Sequence, residues 1–486
     1  MMPCMRFLVA LLLCSFGCSL GLAQLPADTD HLMAEWMRNW EVPGMAVGVV
    51  QKGKVVHLKG YGLRDVEAKL PVTTESRFAY GSITKSLTVL LLHGLAAEGK
   101  VDWDGPVRDQ LPGFKLIDPV ASERATPRDL VSHRTGMPRH DGLWAVPEPP
   151  TREEVLARLR HLPPSADFRT TYQYNNLMFL TAGMLGARAA GEPWEKAVRG
   201  RVLEPLGLGG VAATYAEAKQ KQELAVPYVV REHVFEKVGV TPGIDVIAPA
   251  GASVGTIAEL TRYLMAHMGA GKVEGKQLLP AKYFEAMQRP HTVMPETAAY
   301  TPFSAGQAYG MGLFIGQYRG KKMIYHTGTI SGYHAMMWWM PEEDLGVTVL
   351  LNRVERALPH VVCLTLADRM LGLGSADWSE VYKKNLTPVA AKAKRVEGTQ
   401  PGHPLRDYVG KYRNAGYGEV RVTEAIGGLL VEYAGQKIEM KHWHYDTFGE
   451  GTMKASFVTE VDGEVGVVQI KLEAAVGAIE FRRLKE

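Results

Sequence analysis

The sequence predicts an α+β fold: an antiparallel sheet flanked by helices, with an inserted helical region, followed by a small all-β, barrel-like domain. Three observations carry this. Strand-like runs occur near both ends of the region before Tyr382, while residues 102–287 between them read as helix and loop punctuated by Pro and Gly. Beyond Tyr382 a charged stretch gives way to text that is almost wholly strand-like. A chain of 486 residues is also too long for one simple core. Strands gathered at the two ends, with helices between them, exclude a doubly wound sheet.

In chain order, Arg6 precedes the run Phe7-Leu-Val-Ala-Leu-Leu-Leu13, and Gly21-Leu-Ala23 supplies small residues, the layout of a secretory signal peptide over residues 1–23. Export to the periplasm or medium, with the mature chain starting near Gln24, is the expectation. A retained membrane anchor is the alternative, although the apolar run is short and broken by Ser15, Gly17 and Ser19. Lipidation at Cys18 is a further option, with Ser15 standing where a branched aliphatic residue is usual. Only Cys363 follows this segment, so no intrachain disulfide is expected in the mature chain. Its apolar surroundings, residues 358–373, read as a packed helix with an inert buried thiol.

Leu32, Met33, Trp36, Met37 and Trp40 recur at helical spacing up to Pro43-Gly44. Residues 45–50 and 55–58 flank Lys52-Gly53-Lys54 as a hairpin. Residues 77–80 form a strand leading into Gly81-Ser82 and a helix ending near Gly99, apolar nearly all round and therefore buried. After an isolated strand candidate at 225–230, strands at 309–317, 322–326, 334–340 and 345–351 make a meander that turns at 341–344. Residues 383–404 are the linker between a main domain over 24–382 and a tail domain over 405–486. The tail offers strands at 408–412, 418–423, 429–433, 437–443, 454–461, 465–472 and 478–484. Hydrophobic residues at 46% against 22% charged exclude disorder, and a net charge of +3 without basic runs excludes a nucleic-acid partner.

The sharpest chemistry is in Ser82-Ile-Thr-Lys85, where a serine at the first turn of a buried helix shares a face with a lysine three residues on. Such a lysine takes the serine proton once burial and its neighbours lower its pKa, and the helix N-terminus favours developing negative charge. Alone, the pattern also fits an N-cap serine and a surface lysine. Tyr172-Gln-Tyr174-Asn-Asn176 sets a phenol and an amide at the start of the apolar helix 177–185. His326-Thr327-Gly328 ends a strand and precedes Thr329-Ile-Ser-Gly332 and the aromatic strand 333–339. The order and spacing of the three motifs are specific where each alone is not.

In these motifs the chain resembles the serine beta-lactamase and penicillin-binding-protein superfamily, in its class C-like, esterase and D-amino-acid peptidase branch, over roughly residues 30–375. The stretches 126–138, 249–256, 309–312 and 345–352 share the likeness. The resemblance implies that Ser82 is the acylated nucleophile, Lys85 its activating partner, Tyr174 a second proton-transfer group and Asn176 a ligand for a substrate amide. It implies that His326, Thr327 and Gly328 line the edge along which substrate lies, and that the backbone N–H groups of Ser82 and Thr329 form the oxyanion hole. Which of Lys85 and Tyr174 is the base stays open. His326 stands where beta-lactamases and transpeptidases usually carry Lys, and a neutral imidazole holds a carboxylate less well than an ammonium does. Asn175 replaces a usual Ser, and Phe168-Arg169 a usual Pro-Gly.

The expected activity is therefore that of an exported serine hydrolase forming an acyl-enzyme at Ser82, an esterase or a hydrolase of D-amino-acid peptides and amides. Alternatives are a beta-lactamase or D-alanyl-D-alanine carboxypeptidase and, from another class, a penicillin-binding sensor that acylates without turnover. The partners expected are a small ester, amide or D-peptide, with peptidoglycan fragments as one source. No cofactor or metal is expected, and the oligomeric state is open. The tail resembles lipocalin-like domains attached to some of these hydrolases, in Gly410-Lys-Tyr412 and His442-Trp-His-Tyr-Asp446. The two imidazoles of the latter lie on one strand face, but without third or fourth ligands a barrel-facing or surface pair is favoured over zinc.

Overall fold

Strands far apart in the chain meet in one sheet. In the computed structural model, which describes residues 25–295, 307–385 and 394–485, the Gly44–Gln51 strand pairs antiparallel with Leu345–Leu351, Met45 facing Leu351 and Gln51 facing Leu345. The sheet has nine strands, running from edge to edge Thr292–Val293, Ala308–Tyr309, Phe314–Tyr318, Lys321–Ile330, Tyr333–Met340, Leu345–Leu351, Gly44–Gln51, Lys54–Asp65 and Leu70–Pro71. The expected signal peptide, residues 1–23, lies outside the described residues.

Both faces of the central strands are buried, so these strands read as continuous apolar runs whose alternate residues enter different cores. Met336, Trp338 and Met340 join Val347, Val349 and Cys363 on one face, covered by the helices Thr29–Asn39 and Leu358–Leu371. Ala335, Met337 and Trp339 face the other way, toward Leu260 and Leu264 of the helix Ile257–Met268. That helix starts with a capping box in which the Thr256 side chain accepts from Glu259 N–H and Glu259 returns to Thr256 N–H. The inserted helical region packs the Thr84–Ala97 helix, buried along most of its length, against Asn176–Ala190.

Several boundaries differ from expectation. The strand carrying His326 does not end there but continues to Ile330, so the triplet lies inside a sheet strand; Gly332, at φ +70, makes the turn into Tyr333. Its polar text, His-Thr-Gly-Thr, is what hides the strand in the sequence. Arg77–Ala79 pairs with Val254–Thr256 in a separate small sheet, and Tyr228–Arg231 forms a hairpin with Val234–Lys237. The helix Trp378–Asn385 enters the predicted linker, of which residues 386–393 lie outside the described residues.

The tail is a closed barrel of eight strands, from Gly410–Asn414 to Ile479–Arg483, sealed where Tyr412 faces Arg483. The unexpected eighth strand is the short Thr447–Glu450. Inward residues such as Tyr412, Phe448, Phe457 and Phe481 are buried in one hydrophobic core that continues through Tyr417 and Tyr433 into the helical region at Leu143 and Leu162. His442 and His444 flank a bulge; His442 Nε2 lies 2.8 Å from Tyr445 O, and His444 Nδ1 accepts from Val396 N–H. Among the described residues no cluster suited to a metal ion occurs.

Candidate active site

Ser82 lies in a 3-10 turn, Gly81–Ile83, that feeds the Thr84–Ala97 helix. The turn presses against the Lys321–Ile330 strand so closely that only glycine fits on either side. A Cβ on Gly81 would lie 2.6 Å from Thr329 N, and one on Gly328 would lie 1.8 Å from Tyr80 O. The close approach brings the backbone N of Thr329 against the Ser82 turn, an arrangement able to present two N–H groups to an oxyanion. Thr84 Oγ1 donates to Gly81 O at 2.7 Å and fixes the turn from below.

Lys85 is fully buried, and its Nζ has three neighbours: Ser82 Oγ at 3.0 Å, Asn176 Oδ1 at 2.7 Å and Ala250 O at 2.8 Å. Burial, and then the positive charge of Arg139, push this amine well below the ordinary lysine range, while Asp141 opposes them. A neutral amine has two N–H donors and one lone pair. Asn176 Oδ1 and Ala250 O are obligate acceptors here, so they take the two donors and the lone pair is left facing the Ser82 hydroxyl. The geometry thus suits removal of the serine proton.

Asn176 and Tyr174 are placed by the start of the Asn176–Ala190 helix. Asn175 caps it, accepting from Met178 N–H at 2.9 Å while its amide donates to the carbonyls of Met137 and Pro138. The departure from Ser at this position therefore pins the loop before the helix. Asn176 Nδ2 donates to Asp141 Oδ1 at 3.0 Å, which orients its carbonyl oxygen toward Lys85. Tyr174 hydrogen-bonds to Ser82, and burial pushes its phenol up to about 12. Arg169, where the resemblance expects glycine, takes the left-handed φ of +64 and is held there by Asp129, with contacts of 3.0 and 2.7 Å.

His326 is buried and uncharged. Tyr309 OH lies 2.9 Å from Nε2, and Nδ1 lies 2.6 Å from Thr327 O. Because a carbonyl only accepts, Nδ1 carries the proton and Nε2 accepts from the Tyr309 phenol. Burial, with Lys85 next, pushes the imidazole down to about 3. Both ring nitrogens are committed within the protein, so this side chain shapes the cleft wall without offering charge. Ser82, Arg139, Tyr174, His326, Thr327 and Thr329 line one cleft of about 430 Å³, and the structure thereby brings together what the three motifs predicted. Gly328 and Asn176 are not among the lining residues; Asn176 meets Lys85, and Gly328 packs against Tyr80 O.

Sequence reading did not single out Arg139, Asp141, Tyr309 or His133. His133, at φ +58, is buried between Tyr174 and Tyr309 with ring centroids 4.4 and 4.6 Å away, and its Nδ1 accepts from Asn175 N–H. His133 and Tyr309 lie inside the family-like stretches 126–138 and 309–312, and Arg139 and Asp141 directly follow the first.

A family model described as Beta-lactamase matches residues 29–368, and one described as a domain of unknown function matches 394–483. The unguisins hydrolase ungD of Aspergillus violaceofuscus is 28% identical over 448 residues, covering 84% of this chain and 78% of that protein. An octameric penicillin-binding protein homologue from Pyrococcus abyssi has a like fold, with TM-score 0.64, 22% identity and coverage of 94% of this chain and 99% of that one. SurE follows at TM-score 0.58, 22% identity, and coverage of 94% and 98%, and has also been solved with D-Leu.

Proposed function

The chain belongs to the beta-lactamase family and is a serine hydrolase, and from that premise we propose that it hydrolyses esters or the amide bonds of D-amino-acid peptides through an acyl-enzyme at Ser82. The carrying observation is the buried Lys85 amine with its lone pair directed at Ser82 Oγ. Lys85 removes the Ser82 proton as Oγ attacks the substrate carbonyl, and the backbone N–H groups of Ser82 and Thr329 receive the oxyanion. Tyr174, protonated at neutral pH, passes a proton to the departing alcohol or amine, and Lys85 returns it to the phenol. Water then attacks the acyl group by the same route and frees Ser82. A phenol held up to about 12 and a lysine pushed far down support Lys85 over Tyr174 as the base.

The committed, neutral His326 favours substrates that need no cation at that wall, which is the reason to prefer esters and D-peptide amides. A chain of like fold solved with D-Leu supports a D-configured residue at this site. A second reading, cleavage of beta-lactams or D-alanyl-D-alanine termini, draws on Arg139 and Arg356, which also line the cleft and bring positive charge to it. Export, with action on substrates in the periplasm or medium, rests on the layout of residues 1–23.

The test uses the purified protein and its Ser82→Ala variant with a short-chain ester, a D-amino-acid amide and a fluorescent beta-lactam. Release of ester or amide product that falls at least a thousandfold in the variant is expected, with little lasting label. Wild-type release by Ser82→Ala removes Ser82 as nucleophile. Persistent label without release points instead to a sensor that acylates once.

A further inference from the structure

Beyond the catalytic residues themselves, one loop joins the cleft to the barrel. Residues 139–142 carry Arg139 and Asp141 on the cleft side, where Asp141 Oδ1 accepts from Asn176 Nδ2 and Arg139 Nε donates to Asp141 Oδ2 at 2.7 Å. Arg139 also lies over the Tyr174 ring, 5.1 Å from its centroid. Asn176 in turn accepts from Lys85. The loop thus sets the position of the groups that surround Lys85 and Tyr174.

The same loop is braced from both sides: within the hydrolase domain Leu143 N–H donates to His140 O, Trp144 N–H to Asp141 O and Trp144 Nε1 to Asp141 Oδ1 at 2.8 Å. His140 sits at φ +50, in the left-handed region that a residue with a Cβ adopts only when its surroundings hold it there. Part of the hold comes from the barrel. His140 Nε2 lies 2.9 Å from Pro163 O and must donate to it, so Nδ1 accepts from the barrel's Tyr417 OH at 2.8 Å. Tyr433 OH donates to Gly142 O at 3.2 Å. Gly142 N–H donates to Glu473 Oε1 at 3.2 Å. Leu472 closes the contact, lying so near that a Cβ on Gly142 would be 3.1 Å from the Leu472 Cβ. Glu473 is partly buried against the loop, where burial and then the charge of Asp141 push its carboxyl above the ordinary range and the Gly142 N–H opposes them. A docking surface alone would need apolar contact; a carboxylate spent on a backbone N–H of an active-site loop specifies where that loop stands.

We propose that Glu473 is a positioning residue for the hydrolase site, fixing the loop that carries Arg139 and Asp141 through the backbone N–H of Gly142, so that the barrel is a working part of the catalytic geometry. This rests on the reading of Ser82 and Lys85 given above. Trp144 Nε1 and Arg139 Nε also hold the Asp141 carboxylate, at 2.8 and 2.7 Å, so Glu473 acts on the loop backbone: without it the loop shifts and carries Asp141 out of register with Asn176.

The experiment compares ester turnover and melting temperature in the full chain for wild type and for Glu473→Ala, Glu473→Gln, Tyr417→Phe and Ser82→Ala. Glu473→Ala is expected to lower kcat at least tenfold with KM changed by less than threefold. Glu473→Gln, whose amide oxygen accepts from the same Gly142 N–H, restores kcat to within threefold of wild type. A role confined to holding the domains together would lower melting temperature in step with domain loss and leave kcat of the folded protein unchanged, with no rescue by Gln. If Glu473→Ala does not fold, Tyr417→Phe decides: it keeps the ring and loses only the bond to His140, and a fall in kcat of at least threefold is expected. Wild-type kcat in Glu473→Ala, or in Tyr417→Phe where the former is unfolded, overturns the inference. Loss of activity in Ser82→Ala alongside that result leaves the nucleophile assignment standing, whereas an active Ser82→Ala removes both.

Discussion

Arg139 stands beside both groups able to move a proton at Ser82, and its charge bears on each. Burial pushes the Lys85 amine down and Arg139 adds to it; burial pushes the Tyr174 phenol up and Arg139 opposes it. Arg139→Met keeps an unbranched side chain over the Tyr174 ring and removes the charge, so the Lys85 pKa rises. Lysine acts as base only when unprotonated, and a higher pKa leaves less neutral amine at any given pH. The acid limb of kcat/KM for an uncharged ester is therefore expected to move to higher pH, with a lower rate at neutrality. A limb that stays in place or moves to lower pH would show that Arg139 does not tune the base. Ser82, Lys85, Tyr174, Asn176 and the His326 triplet were legible because each motif is local: spacing along one helix turn or one strand is enough to group its atoms. Arg139, Asp141 and Tyr309 were not, because a loop brings the first two to the site and Tyr309 reaches His326 across neighbouring strands.

The site exists because a 3-10 turn and a strand touch through two glycines. Gly328→Ala places a methyl where Tyr80 O and Gly81 Cα already stand, at 1.8 and 2.9 Å, and neither atom belongs to a flexible side chain. The strand must retreat, carrying Thr329 N away from Ser82. A misplacement of about 1 Å costs on the order of a hundredfold in rate, and a fall in kcat of that size with a lowered melting temperature is expected. Gly94→Ala is the control. Nothing lies within 4 Å of its added Cβ, and in the Thr84–Ala97 helix it stabilises by about 0.5–1 kcal/mol, with kcat unchanged. Retention of kcat by Gly328→Ala within twofold would remove the strand from the oxyanion site. The same contact shows where element reading stops. Continuous apolar runs made residues 334–340 and 345–351 plain, since both faces of those strands are buried. The continuation of the preceding strand through Thr327, Gly328 and Thr329 carries no such signal, because its polar residues face the cleft and its glycine is required by a neighbour. Thr447–Glu450 was too short to separate from the turns beside it.

At the scale of the whole molecule, the order of the domains was readable from composition, and the contact between them was not, since it runs through single residues such as Tyr417 and Glu473 that fit any barrel surface. The structure also has a pH limit set by its interior. His93, His133, His267, His326, His334 and His360 are all buried in the hydrolase domain. Burial pushes His267, His326 and His334 down to about 3, His93 and His360 to about 4, and His133 well below the ordinary range. In the unfolded chain each imidazole takes a proton near pH ~6.5, so below that value the unfolded state binds more protons and is favoured. Folded-state stability is then complete above about pH 6.5 and is lost as pH falls toward the folded values, at about 1.4 kcal/mol per pH unit for each imidazole. Near pH 5 each fully buried ring contributes about 2 kcal/mol of destabilisation, and a few of them together rival the roughly 5–15 kcal/mol that holds a domain. A melting temperature that is level from pH 8 to pH 7 and falls steeply between about pH 6 and pH 4 is expected. His267→Gln, outside the cleft lining and buried against Tyr263, Phe284 and Trp339, is expected to flatten part of that fall without moving the acid limb of kcat/KM measured on folded protein. A melting temperature indifferent to pH over that range would mean that these imidazoles reach solvent, and the acid loss of activity would then belong to Lys85 alone.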